Sequence, residues 1–498
     1  MSFPPSDEYS WVAYWDDIAT GIPDPEDDPD DDVRKVDPRP LPEKVVELDK
    51  TISDLEKQVA DLKLKRERLL AERALITRLP SEIMCRIFEL AVNDHFDFLS
   101  HINVVCRRWR DVALACPALW TYIVLDVSWT WRIPAFLRKL EAHIQRSQGF
   151  KLFIDINLCQ FDTLSCQPIM AALQPHLSRC YTFHLAVPDW PMMRAVREYT
   201  AELGPALEKL SLRIEYSQSE FEEPVSIFAQ PCPLLKSVRL EHVPLECLNI
   251  ATPNLRYFFI CRDQQCHSST RIAYPFKELM SMLTASPMEW FDMRLAVFNL
   301  DSAEDAFAAN PKPYRLPDLE HLRFDDVDSA SVTLFLDTTT MPRLRGLSVF
   351  SGDDVHWITR IALSPDRFSS LRILNLRNTN LTGASLSTLI RALHRLPQLT
   401  GLGLAAPSTG IVGDRFFETL SAGPETMGEW LLPRLEALCF QSCPDISGHE
   451  LLRVVTARRG AAALQVANII FLQFSQCYNV DNEALVRLED LVPTVRVV

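Results

Sequence analysis

Glycine is scarce in this chain: 14 of 498 residues, under half the ~7% usual in globular proteins. Phosphate-cradling loops and glycine-rich hairpin barrels are therefore not expected. Positive charge is also short. Lys and Arg number 51 against 66 Asp and Glu, a net charge of −15. That balance argues against nucleic-acid binding, since phosphates are repelled and no basic tract compensates. No apolar run reaches the ~18 residues of a membrane span, so no membrane partner is expected. The first residues, Met1-Ser-Phe-Pro-Pro-Ser-Asp-Glu, lack the basic and apolar regions of a secretory leader. A disulfide pattern is missing too. The 13 cysteines are odd in number and scattered among apolar residues, which predicts reduced, buried thiols in a cytoplasmic or nuclear protein.

What is present is ordinary globular material, 47% apolar and 23% charged, in a chain long enough for several domains or one repeat array. Residues 1–44 read as a disordered tail. Seven acids fall between Asp24 and Asp32, interleaved with proline, and such a segment buries too little to offset its ordering entropy. Residues 45–76 change character. Val45, Leu48, Ile52, Leu55, Val59, Leu62, Leu69 and Ile76 alternate at three- and four-residue spacing, with Arg66 and Arg73 in the two remaining seam positions. No Gly or Pro interrupts them. This predicts a coiled-coil-like helix, open to two uses: self-association through 45–76, or folding back on the next domain.

Pro80 disfavours helix at Leu79, and the Pro80/Ser81/Glu82 cluster starts a new one. Amphipathic segments follow: Ile83 to Ala91, Phe98 to Trp109, and Val112 to Leu114. Three short helices make a very small core, stable mainly when docked on something else. Their motifs, in order, are Leu79-Pro80, Glu82-Ile83, Ile87-Phe88, Val105-Cys106-Arg107-Arg108-Trp109 and Leu119-Trp120. This stretch, residues 77–122, closely resembles an F-box, although Asn93 to His101 has no clear counterpart. A coil directly before the box resembles a large family of fungal F-box proteins. The resemblance implies binding to the small adaptor that links such proteins to a cullin scaffold and a RING ubiquitin ligase. Carried onto this chain, the adaptor contacts are Leu79, Pro80, Ile83, Ile87, Phe88, Val105, Cys106 and Trp109. For Ile87, Val105 and Trp109 the alternative is that they only hold the helices together.

After a connector at 123–150, residues 151–498 carry a loose repeat, Pro-x-Leu-x-x-Leu-x-Leu. Copies begin at Pro205, Pro233, Pro253, Pro317, Pro342, Pro397 and Pro433, and Leu371-Leu374-Leu376 lacks only the proline. Most starts fall roughly 20–36 residues apart, near the leucine-rich-repeat range. Cys443 and Cys477 follow repeat strands in a way that resembles the cysteine-containing repeats of many F-box proteins. The expected fold is an α/β repeat: an N-terminal helix, a three-helix box and a solenoid with a curved parallel sheet. Strand residues alternate faces, so the repeated leucines build the core. One intervening column runs Ser211, Arg239, Phe259, Arg323, Ser348, Asn375, and the next Arg213, Glu241, Cys261, Asp325, Phe350, Arg377. Arg and aromatics are common hot-spot types, which makes Arg239, Phe259, Arg323, Phe350 and Arg377 candidate partner-binding residues. The competing reading is a solvated sheet face with internal charge pairs. The segments 296–316 and 405–432 look irregular.

Catalytic signals are weak. His449-Glu450 lacks the second His of a zinc-protease helix. Gly401-Leu-Gly403 lacks a third glycine, and Cys261, Cys266 and His267 lack a second ligand pair. The sequence reading is thus a non-enzymatic substrate receptor of an SCF-type ubiquitin ligase, without cofactor or metal. It would bind the adaptor, through it the cullin, and an unknown protein substrate. The alternative is a leucine-rich-repeat scaffold with a degenerate box.

Overall fold

The computed structural model describes residues 43–73, 75–215, 226–228, 230–248, 252–261, 272–299, 313–350, 356–377, 383–405, 414–423, 429–461 and 466–497. The expected tail, apart from its last two residues, lies outside them. The chain divides after Pro80 into two compact units. The first contains α1 (Glu43–Arg73) and a 3-10 turn, Leu75–Arg78. The helix starts directly after Pro42, with Glu43 in its first turn, where an acid suits the helix dipole.

The second unit opens with three short helices, α2 (Ser81–Asp94), α3 (Phe98–Val105) and α4 (Arg107–Ala115). The segment expected to run unbroken from Phe98 to Trp109 is split. Cys106 is fully extended (φ −159°, ψ 169°) and places Trp109 on α4. Met84, Phe88, Val92, Leu99, Ile102, Val112, Ala113, Leu119 and Trp120 are buried in and around this bundle.

Beyond it runs one parallel sheet of fourteen strands among the described residues, adjacent in space in the order of the sequence. The strands are β1 (Tyr122–Leu125), β2 (Leu152–Asn157), β3 (Cys180–Val187), β4 (Lys209–Ile214) and β5 (Ser237–Glu241). Next come β6 (Tyr257–Cys261), β7 (Trp290–Arg294), β8 (His321–Asp325), β9 (Gly346–Phe350) and β10 (Ile373–Arg377). The last are β11 (Gly401–Ala405), β12 (Ala437–Gln441), β13 (Phe471–Ser475) and β14 (Thr494–Val497). Parallel neighbours require crossover connections, and several carry helices whose apolar faces join the strand side chains in one continuous core.

The period-two pattern sets the stacking. From β4 onward, Leu210, Val238, Phe258, Phe291, Leu322, Leu347, Leu374, Leu402, Leu438 and Leu472 stand in register as one buried column. Several crossover helices are capped alike: Asp162, Asp189, Asp328 and Asp481 each accept a backbone N–H three residues on, which satisfies an otherwise orphaned donor.

Three expectations change. The stretch 123–150, read as a connector, contains most of edge strand β1 and helix α5 (Ile133–Arg146). Strand β7 has no repeat motif in sequence because its core sites are Met288, Phe291 and Met293 instead of leucines. Part of 296–316 is regular: Ala296–Asn299 pairs with Ile272–Pro275, and Tyr314–Arg315 with Thr339–Thr340. Within 405–432 a helix spans Asp414–Ser421.

The motif-like fragments have structural places. Glu450 completes a capping box with Ser447 at the start of helix Gly448–Gly460. Gly401 and Gly403 lie in β11. Cys261 is buried at the end of β6, while Cys266 and His267 lie outside the described residues. None of the described cysteines is joined in a disulfide.

Candidate functional site

The bundle α2–α4 leaves much of its apolar surface uncovered. Ile83, Ile87 and Leu90 recur at helical spacing along one side of α2. With Val104 and Val105 at the end of α3 they are 41–75% exposed. Leu114 on α4 is also exposed. Single exposed apolar residues are ordinary, but a stripe on one helix marks an interaction surface.

The eight expected contact residues fall into three groups. Ile83, Ile87, Val105 and Cys106 are exposed on the bundle. Leu79 is half-buried and Pro80 exposed, both at the end of the first unit. Phe88 is 1% exposed, its ring centre 4.9 Å from that of half-buried Trp109. Phe88 therefore serves the bundle core and does not present a free surface. The sequence reading missed Leu90, Val104 and Leu114. Helical spacing from Ile83 could have found Leu90. The other two are distinguished only by exposure.

The bundle is built onto the edge of the sheet within the second unit. Trp120 Nε1 donates to the Ala113 carbonyl at 2.8 Å. Its ring meets His143 of α5 edge-on at 5.1 Å, and the Arg146 guanidinium lies 4.3 Å above it. Burial, reinforced by Lys139 and Arg146, lowers the pKa of His143 to about 4, so the ring is neutral at ordinary pH. A second joint comes from the segment without a counterpart in the family pattern. Phe96 lies 5.2 Å from both Tyr122 of β1 and Phe153 of β2, and the Tyr122 hydroxyl hydrogen-bonds Asn93. Side chains of 93–101 thus bind the bundle to the first two strands.

The second surface is the face of the sheet opposite the buried columns. Arg239 and Phe259 are direct neighbours across β5 and β6, and Phe350 and Arg377 across β9 and β10. Arg323 stands between, its guanidinium 4.8 Å from the Phe350 ring centre. The five candidates therefore lie on one face over six successive strands. β7 adds Trp290, Asp292 and Arg294 to the same face, and Trp290 lies 4.6 Å from the His321 ring of β8. Gly346 beside it makes room: a Cβ there would stand 2.5 Å from His321 Nδ1.

Charge on this face is largely answered from within. Arg239 pairs with Glu241 at 3.6 Å and Arg323 with Asp325 at 2.8 Å. Arg294 grips Asp292 with two nitrogens, Nε at 3.0 Å and Nη2 at 2.8 Å, and Asp292 is 2% exposed. That carboxylate holds the Arg294 pKa above its ordinary value. Three acid–arginine pairs, each between positions i and i+2 of one strand, stand on β5, β7 and β8. This is the internal charge pairing of the competing sequence reading, and it fixes the arginine heads in place.

Among the described residues no three His, Cys, Asp or Glu side chains gather as metal ligands, and no helix is long and apolar enough to cross a membrane. The family model that matches is F-box-like, over residues 76–126. The chain thus carries an F-box-like domain, a class generally engaged in protein–protein interaction through adaptor binding. It is followed by a mixed helix-and-strand region with a long parallel sheet. A search of curated proteins finds no match to the chain.

Proposed function

We propose that this protein is the substrate-recognition subunit of a cullin–RING (SCF-type) ubiquitin ligase. The observation that carries the reading is the uncovered stripe Ile83, Ile87, Leu90, Val104 and Val105 within the F-box-like domain. A dry apolar centre of this kind suits a helical adaptor. We read the ladder as leucine-rich repeats, supported by the unbroken column from Leu210 to Leu472. Its open face is the substrate surface, with Arg239, Phe259, Arg323, Phe350 and Arg377 joined by Trp290 and His321. The chain supplies no catalytic residue of its own and acts in the cytoplasm or nucleus. Its contribution is positioning. The Trp120 and Phe96 joints fix the substrate face relative to the adaptor, which raises the effective concentration of a substrate lysine near the conjugating enzyme.

Co-expression with the cognate adaptor, followed by co-purification, tests the first half. The wild-type chain is expected to form a stable complex. An Ile83→Ser/Ile87→Ser/Leu90→Ser variant is expected to lose it while keeping its melting temperature. No complex from folded wild type removes the ligase reading. A complex that neither recruits the cullin nor promotes turnover of a captured partner leaves a scaffold in its place.

A further inference from the structure

Helix α1 presents an apolar seam whose described side chains are largely exposed. Leu48, Ile52, Leu55, Val59 and Leu62 are 48–66% exposed, and Val45 is half-buried. Most helix stability in proteins comes from covering such a face, and here it runs along much of a thirty-one-residue helix.

The seam residues are of particular kinds. With Val45 set at heptad position a, the a sites read Val45, Ile52, Val59, Arg66 and Arg73, and the d sites Leu48, Leu55, Leu62 and Leu69. The first three a sites are β-branched and every d site is leucine, the combination that favours two parallel strands. In that arrangement Lys44 at g faces Asp49 at e of the other helix, an opposite-charge pair. The following g–e pairs, Thr51 with Glu56, Gln58 with Lys63 and Lys65 with Leu70, bring no like charges together.

We propose that α1 pairs with α1 of a second copy of this chain as a parallel, in-register, two-stranded coiled coil. The β-branched a sites and leucine d sites set direction, and the arginines set register. Parallel pairing confines them to two layers, Arg66 with Arg66 and Arg73 with Arg73. Antiparallel packing sets a sites against d sites, so near-full overlap would set Arg66 against Leu48 in two layers, one towards each end of the coil. The acidic first half and basic second half would favour antiparallel contact. Pairs between charges outside the seam are worth little, however, and the β-branched a and leucine d pattern decides for parallel strands. A shift of one heptad would set Arg66 against Val59. Long arginine stems reach solvent from the seam, so the two polar layers are tolerated at one end. The pairing starts both copies of residues 74–80 from the same end of the coil, which makes the assembly bivalent toward a multimeric partner. This inference does not depend on the ligase reading.

Light scattering on the full chain at tens of micromolar is expected to give twice the 56.8 kDa chain mass. An Ile52→Glu/Leu55→Glu variant is expected to give the single mass, with unchanged melting of the remainder. Leu48→Cys distinguishes direction: parallel copies bring the two thiols together, and mild oxidation yields a covalent dimer above the wild-type background. Antiparallel copies hold them roughly 30 Å apart. A monomeric wild type, whether its seam is covered by residues 81–498 or by a different protein, overturns the proposal. So does a dimer that survives the double glutamate substitution, or a Leu48→Cys dimer that does not cross-link.

Discussion

The α2–α4 bundle and the long ladder are made from the same kinds of residue, and they dispose of them differently. In the ladder each repeated leucine, or the Phe, Val or Met that replaces it, is covered by the strands beside it and by the core behind it. In the bundle three short helices cover one another's inner faces and the joint to the sheet at Phe96 and Trp120, and no more. Ile83, Ile87, Leu90, Val104 and Val105 stay in water although they are as apolar as the ladder column. The size of the unit accounts for the contrast, because small units bury a smaller share of their surface. The same apolar composition serves stability where neighbours repeat and is left available for binding where they do not. Helix α1 is the extreme case, a single element whose seam residues Leu48, Ile52, Leu55, Val59 and Leu62 stay exposed.

The contrast can be sharpened most by truncating one residue of each kind. Phe324→Ala, buried in β8 two residues after the column leucine Leu322, is expected to cost about 3–5 kcal/mol in urea unfolding. Ile87→Ala on the exposed stripe is expected to cost less than about 1 kcal/mol while weakening adaptor binding at least tenfold. Equal losses of stability would dissolve the distinction between the two regions.

The junction between them carries the next largest effect. Neutral His143 favours the folded state fully above pH 6.5, its ordinary value, and that contribution is lost as pH falls towards about 4, its value in the fold. The gap corresponds to roughly 3 kcal/mol. Thermal melts from pH 7 to 4 should show a steeper decline for wild type than for His143→Phe. Parallel curves would mean that the fold does not hold His143 neutral.

The smallest effect concerns the open face. Asp292→Asn keeps the shape but weakens the grip on Arg294, at an expected cost of about 1–2 kcal/mol. If the pair orders this face for a partner, capture of that partner should fall by more than stability alone explains. A stability change without loss of capture would assign the pair to the sheet only.

Much of this architecture was legible in the residues. The columns read from the repeat, such as Arg239 beside Phe259 and Phe350 beside Arg377, coincide with the observed register, because a strand's side-chain period is fixed by backbone geometry. Strand β7 was not legible, since Met288, Phe291 and Met293 fill leucine sites without spelling the motif. The place of Phe88 was not legible either. Ile87 and Phe88 are adjacent in sequence, one 41% and the other 1% exposed, and only the position of α4, with Trp109 set on it by extended Cys106, decides between them. The joint at Phe96 was hidden for a different reason: it lies where the family pattern falls silent.

By itself the sequence determined the helix at α1, the heptad identities along it, the F-box-like order of motifs and the alternation along the strands. All of these follow from local periodicity, which needs no knowledge of neighbours. Only the tertiary structure decided which apolar groups are covered and which remain in water. It also decided that the bundle is fastened to α5 through Trp120 and to β1 and β2 through Phe96, and that acids two residues away on the same strands answer Arg239, Arg294 and Arg323. Coverage and pairing are sums over residues distant in the chain, and no local pattern contains them.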